Sequence, residues 1–236
     1  SYAFDADPRD HCETDVRAYR HIVLLLRILA RHLGVPVSDD TPRCALRIWD
    51  PYFCRGSVCR HLASLGFPHV HNANEDFYAI IRERRLPEYE VLVTNPPYSG
   101  DHIERCVRFC AASGKPWLAL MPNWVYDKPW YSQLRADGAF GSVAPFFLGP
   151  VRQAYSFRMP PGAWRPEHVG ADGRTTPYLA SWFVHVPEAR AAARILRALE
   201  AEEARQSDWA VSRSLQGLKE QARRKRAPLR QAFKFK

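Results

Sequence analysis

Tyr89-Glu90-Val91-Leu92-Val93-Thr94-Asn95-Pro96-Pro97-Tyr98-Ser99 governs how the rest of this chain is read. An aliphatic, β-branched run stops abruptly at Asn-Pro-Pro-Tyr, so a buried strand carries a stiff polar tip at its carboxyl end. Each proline holds φ at about −65° and donates no N–H, which leaves backbone carbonyls as acceptors. An amide oxygen, a proline carbonyl and an aromatic ring side by side suit a planar amino group on a flat ring. Asn95 and the Pro96 carbonyl accept its two N–H bonds, Pro97 stiffens the turn, and the ring stacks on Tyr98. The plain alternative is a strand ended by prolines with no chemistry attached.

Asn95-Pro96-Pro97-Tyr98 resembles the catalytic motif of the class I S-adenosylmethionine-dependent amino-methyltransferases, a superfamily that methylates adenine N6, cytosine N4, guanine N2 and glutamine amides. Upstream, Ala45-Leu46-Arg47-Ile48-Trp49 reads as a strand ending at Asp50, followed by Pro51-Tyr52-Phe53-Cys54-Arg55-Gly56-Ser57 and a helix from Val58 to a Gly66 cap. Strand, glycine-bearing loop and helix form the unit that holds a nucleoside at the carboxyl end of a parallel sheet. Asp50-Pro51-Tyr52 with Gly56-Ser57 resembles the Asp-Pro-Phe…Gly-Ser-Gly loop of the same enzymes, about two residues longer and with Val58 in place of a last glycine.

The resemblance implies further roles. A short strand at His69-Val70-His71-Asn72 precedes Glu75-Asp76-Phe77, where one acid would take the ribose hydroxyls of S-adenosyl-L-methionine and the other its adenine amine. Which acid does which stays open, and a solvated N-cap for the helix through Tyr78 to Arg85 is the bland alternative. Glu13-Thr14, before a helix expected from about Thr14 to Leu33 with Gly34 as its stop, resembles a segment that meets the methionine carboxylate in some DNA adenine methyltransferases. The interval from Gly56 to Asn95 is short for this superfamily, so one strand–helix step should be abbreviated. Covering about residues 12 to 186, the resemblance implies an α/β, Rossmann-like, doubly wound and mostly parallel sheet.

Downstream of the tip, the pattern predicts a helix over 101–112 and a buried strand over 115–121, ended by Pro122-Asn123-Trp124. Phe146-Phe147-Leu148 and Tyr178 to Val184 read as late strands, an antiparallel pair. The long stretch from Gly149 to Thr176 is rich in Pro, Gly, Arg and aromatics. Arg152, Tyr155, Phe157, Arg158 and Trp164, with Trp124, are candidates to stack on bases and meet phosphates. Anchoring of that loop to its own domain is the alternative. Ala189 to Arg205 reads as a helix. Residues 1–40 would thus be an N-terminal segment and helix, 41–205 the main domain with an insertion at about 149–176, and 206–236 a basic tail.

A 236-residue chain with 46% apolar and 12% aromatic residues can build a real core. A formal charge of +9, with Arg223, Arg224, Lys225, Arg226, Arg230, Lys234 and Lys236 near the end, favours an acidic partner or a targeting patch. The six cysteines show no paired metal-ligand spacing, so no metal site is expected, and their pattern fits a reducing intracellular compartment, nucleus or cytoplasm. No apolar run is long enough for a membrane span. The lack of an initial Met or signal pattern suggests a trimmed or excised domain.

The expected function is N-methyl transfer to an exocyclic amine of a nucleic-acid base, adenine N6 in RNA first and DNA next. The alternatives are a protein glutamine or amine methyltransferase, and a catalytically silent RNA-binding or assembly factor. The oligomeric state is not legible.

Overall fold

The computed structural model describes residues 3, 10, 12–37, 43–158 and 178–227. Its framework is one seven-stranded sheet. In chain order the strands are β2 (Ile48–Trp49), β3 (Val70–His71), β4 (Val91–Thr94), β5 (Trp117–Pro122), β6 (Phe146–Pro150), β8 (Ala180–His185) and β9 (Trp209–Ser212). Across the sheet they lie β3-β2-β4-β5-β8-β6-β9. A small separate pair joins β1 (Glu13–Thr14) antiparallel to β7 (Phe157–Arg158).

The pairings β3–β2, β2–β4 and β4–β5 are parallel, and β5–β8, β8–β6 and β6–β9 antiparallel. The architecture is therefore α/β with a mixed sheet, where the sequence led us to expect a mostly parallel one. The late pair was expected to be antiparallel, and Phe147 does face Phe183 across it. The mixture arises because β8 inserts between β5 and β6, a pairing that needs no helical crossover. β5 and β8 are each buried at every position, so their composition does not separate a parallel from an antiparallel partner here.

Strand residues alternate between two faces, as a period of two demands. Val91, Val93, Leu118, Leu120, Trp182 and Val184 join one core cluster, and Leu92, Trp117, Ala119, Met121 and Phe183 the other. The first face is covered by α1 (Val16–His21), α2 (Val23–His32), α3 (Ser57–Ser64) and α7 (Ala189–Glu203). The second is covered by α4 (Phe77–Arg82), α5 (His102–Ala112), α6 (Pro129–Ala136) and α8 (Leu215–Arg226). The single helix expected over 14–33 is broken at buried Ile22, and Gly34 takes the left-handed conformation after α2, with φ 69°. Among the described residues no strand lies outside β3, and α4 alone connects β3 to β4.

Residues 206–227, expected as tail, belong to the sheet layer. Trp209 and Val211 pack on one face and Ala210 on the other, while Leu215, Leu218 and Ala222 form the buried stripe of α8. Lys225 Nζ donates to the carbonyls of Gln206 at 2.8 Å and Trp209 at 3.4 Å, so one of the expected phosphate-seeking cations caps the end of a turn. Arg223, Arg224 and Arg226 stay exposed; Trp164, Arg230, Lys234, Lys236 and most of the 149–176 insertion lie outside the described residues. Among the described residues no helix is long and apolar enough to cross a membrane.

Candidate functional site

From β2 the chain steps outward to β3 and then crosses back to β4 on the other side of β2. The loops leaving adjacent strands β2 and β4 therefore diverge, opening a crevice at their carboxyl ends. A cavity of about 300 Å³ lies there, at the lower end of the range typical for small-molecule sites. Thr14, Asp50, Pro51, Tyr52, Gly56, Glu75, Asp76 and Phe77 all line it, as do Asn95 and Pro97. Residues separated by some eighty positions in the chain thus meet in one chamber.

Each wall follows from local rules. Gly56 sits at φ 72° before α3, a left-handed position that suits glycine. Because Gly56 has no side chain to cap α3, Glu13 reaches from β1 and accepts the Ser57 N–H at 3.3 Å. Asp76 caps α4 by accepting the Tyr78 N–H at 2.9 Å and also lines the cavity. Glu75 is ion-paired to Arg85 at 3.0 Å. At α1, Asp15 accepts the Arg17 N–H at 2.9 Å. The helix start expected to receive a carboxylate is thus already occupied by one of the chain's own, although Thr14 does face the cavity.

Asp50 forms the floor. It is buried, its Oδ1 accepts from the Thr94 hydroxyl at 2.5 Å and the Tyr52 N–H at 3.3 Å, and desolvation outweighs both bonds, pushing the carboxyl up to about 7. This has a consequence for stability. The ordinary value is 3.8, so between 3.8 and about 7 the folded chain holds a proton that the unfolded chain has released. The contribution is therefore fully present below the unfolded value and is lost as pH rises through the folded one. We predict that Asp50→Asn, which keeps the acceptor oxygen and cannot ionise, flattens the stability profile across that window and raises stability above neutrality. Urea midpoints measured from pH 4 to 8 check this; an unchanged slope would assign the buried charge elsewhere.

Several lining residues escaped the sequence reading. Asn72 Nδ2 donates to the carbonyls of Asp50 at 3.0 Å and Tyr52 at 3.4 Å, which sets the amide's orientation, and its buried Oδ1 has no partner among the described residues. A buried acceptor left unpaired costs about 1–3 kcal/mol. Its position at the carboxyl end of a short strand was the available signal. Tyr78 and His102 extend a hydrogen-bonded chain from the expected Tyr52 along one wall, with the Arg105 guanidinium 3.4 Å from the Tyr78 ring centre. Burial pushes the Cys54 thiol up to about 12, which keeps it protonated and a poor nucleophile.

The tip differs from expectation in one respect. Pro96 is buried and neither it nor Tyr98 lines the cavity. The Tyr98 hydroxyl donates to Asn95 Oδ1 at 2.9 Å and approaches the Leu120 carbonyl at 3.4 Å, so Tyr98 orients Asn95 where we had expected a stacking platform. The proposed base-stacking loop is corrected more strongly. Tyr155 and Phe157 are buried in the first core cluster. The Tyr155 hydroxyl bonds His21 Nδ1 at 2.9 Å, and His21 Nε2 meets Asp208 at 2.7 Å, a network that ties α1 to the segment entering β9. Phe157 meets the Tyr98 ring edge-on at 6.2 Å. Aromatic rings near a sheet end are as useful for anchoring a loop as for stacking, and composition does not distinguish the two. Arg152 and Arg158 are exposed and Trp124 is half-buried, all three outside the cavity wall.

Comparison with family models, with curated proteins and with solved structures gave no match.

Proposed function

We propose that this chain is an S-adenosylmethionine-dependent N-methyltransferase acting on the exocyclic amine of a nucleic-acid base, with adenine N6 in RNA as first substrate. The observation that carries the reading is the shared cavity: the loop after Asp50 borders the same space as Asn95 and Pro97 of the tip. The finer description of the sheet as Rossmann-like and doubly wound belongs to this reading, supported by helices on both faces and by the reversal of strand order at β2 and β4.

The lining fits the cofactor's chemistry. Glu75 and Asp76 offer carboxylates to hydroxyl and amine donors, Asp50 a carboxyl group, and Phe77 a ring face. When bound, the cofactor would supply a methyl group on a positively charged sulfonium. The chain's own task is to present the amine. Tyr98 occupies one lone pair of Asn95 Oδ1 and leaves the other for a substrate N–H. An aryl amine nitrogen is a weak nucleophile because its lone pair is delocalised. Accepting an N–H bond from it favours pyramidal geometry, and that bond strengthens as positive charge develops on nitrogen, so stabilisation is greater in the transition state. The amine proton, acidified by methylation, can leave to water.

Calorimetric titration with S-adenosylmethionine should show saturable binding, and methyl label from it should enter RNA in a cell extract. Absence of heat at high micromolar cofactor overturns the reading. Label entering protein alone moves the substrate from nucleic acid to an amide or amine side chain.

A further inference from the structure

Trp124 and Tyr178 stand along the same edge of the sheet as the cavity, a short way across it. β5 ends at Pro122 and turns directly into a 3₁₀ helix, Asn123–Asp127, that carries Trp124. The chain approaching β8 runs alongside, with the Asn123 N–H bonded to the Leu179 carbonyl at 2.8 Å. Trp124 and Tyr178 meet edge to face at 6.1 Å, and Lys128 Nζ lies 4.9 Å from the Trp124 ring centre. Tyr178 and Leu179 are 46% and 51% exposed, although large apolar side chains elsewhere in the chain are mostly buried.

The order of the sheet relates this patch to the cavity. The cavity occupies the ends of β3, β2 and β4, and the patch the ends of β5 and β8, which come next in the same row. Neighbouring strands are about 4.8 Å apart, and the Tyr98 hydroxyl reaching the Leu120 carbonyl at 3.4 Å ties the tip directly to β5. The patch thus starts roughly one strand beyond Asn95. Arg158 is exposed and paired in register with Glu13, which lines the cavity.

We infer that Trp124, Tyr178 and Lys128 form a stacking platform for a single-stranded nucleic acid, holding a base that flanks the one in the cavity. The inference rests on the proposed function for its target base but concerns separate residues. The exposed Tyr178 ring and the half-buried Trp124 ring supply faces for unpaired bases, at about 1–3 kcal/mol per stacked base, and Lys128 a cation for the adjoining phosphate. A net charge of +9 complements that backbone and disfavours a basic peptide in the same place; Asp127 is the exposed acid beside the platform. A duplex keeps its bases stacked on one another and cannot use the rings.

The test is fluorescence anisotropy with labelled single-stranded RNA, single-stranded DNA and duplex RNA, on the wild type, Tyr178→Ala, Tyr178→Phe and Lys128→Ala. Tyr178→Ala is expected to weaken single-strand binding about tenfold, whereas Tyr178→Phe retains it and Lys128→Ala flattens the salt dependence. Calorimetry with S-adenosylmethionine should give the wild-type affinity for all three variants, which reports an intact fold. Equal affinity for duplex and single strand, or unchanged single-strand binding in Tyr178→Ala, overturns the platform. Single-strand binding lost on Tyr178→Ala in a chain that takes no S-adenosylmethionine would support the platform and defeat the methyltransferase reading, so the two fail separately.

Discussion

Asn95→Ala should lower methyl transfer by about 10²–10³-fold, with little change in affinity for S-adenosylmethionine. Asn95 lines the cavity at the carboxyl end of β4, and its Oδ1 is held by the Tyr98 hydroxyl. Truncation removes the acceptor while Pro96 and Pro97 keep the turn stiff. The cofactor's proposed contacts lie on the loops after β2 and β3, so they should survive. Tyr98→Phe is the companion variant: it deletes the orienting bond and leaves the acceptor, and so should cost much less, on the order of tenfold or below. Single-turnover transfer and calorimetry on both variants decide the matter. A parallel loss of cofactor affinity in Asn95→Ala would make the residue a structural one.

Trp182→Ala should destabilise the fold by about 3–5 kcal/mol, the largest stability effect we expect from a single truncation. Trp182 is wholly buried in β8, in register with Leu120 on one side and Leu148 on the other. Its indole N–H donates to the Ala18 carbonyl at 3.0 Å, which fastens α1 to the sheet, and its ring lies 6.0 Å from that of Tyr19. Alanine would lose the buried apolar area, leave a cavity and cut that tether. Trp182→Phe keeps most of the volume and isolates the tether, at about 1 kcal/mol. Because α1 follows directly on the Glu13–Thr14 strand at the cavity wall, Trp182→Ala should weaken ligand binding as well. Urea unfolding gives the number; a loss near that of an average surface substitution would contradict the packing described above.

The composition of residues 89–99 was enough to place a buried strand and its polar tip, and β4 is buried at all four of its positions. The positive-φ glycines at Gly34 and Gly56 were equally legible, since L-residues rarely adopt that backbone geometry. These are local facts, settled by a few neighbouring residues. Which partner covers an apolar side chain is a different kind of fact. Tyr155 and Phe157 looked available to a ligand until His21 and Tyr98 were found against them. The charges of Arg223 to Arg226 masked the short apolar stripe that docks α8. Asn72 became notable through two carbonyls that it meets across a strand end. Periodicity and composition register that a residue is buried or polar along its own segment. Strand direction, loop anchoring and the meeting of Asp50 with Asn95 at one crevice come from contacts between distant segments, which no local pattern encodes.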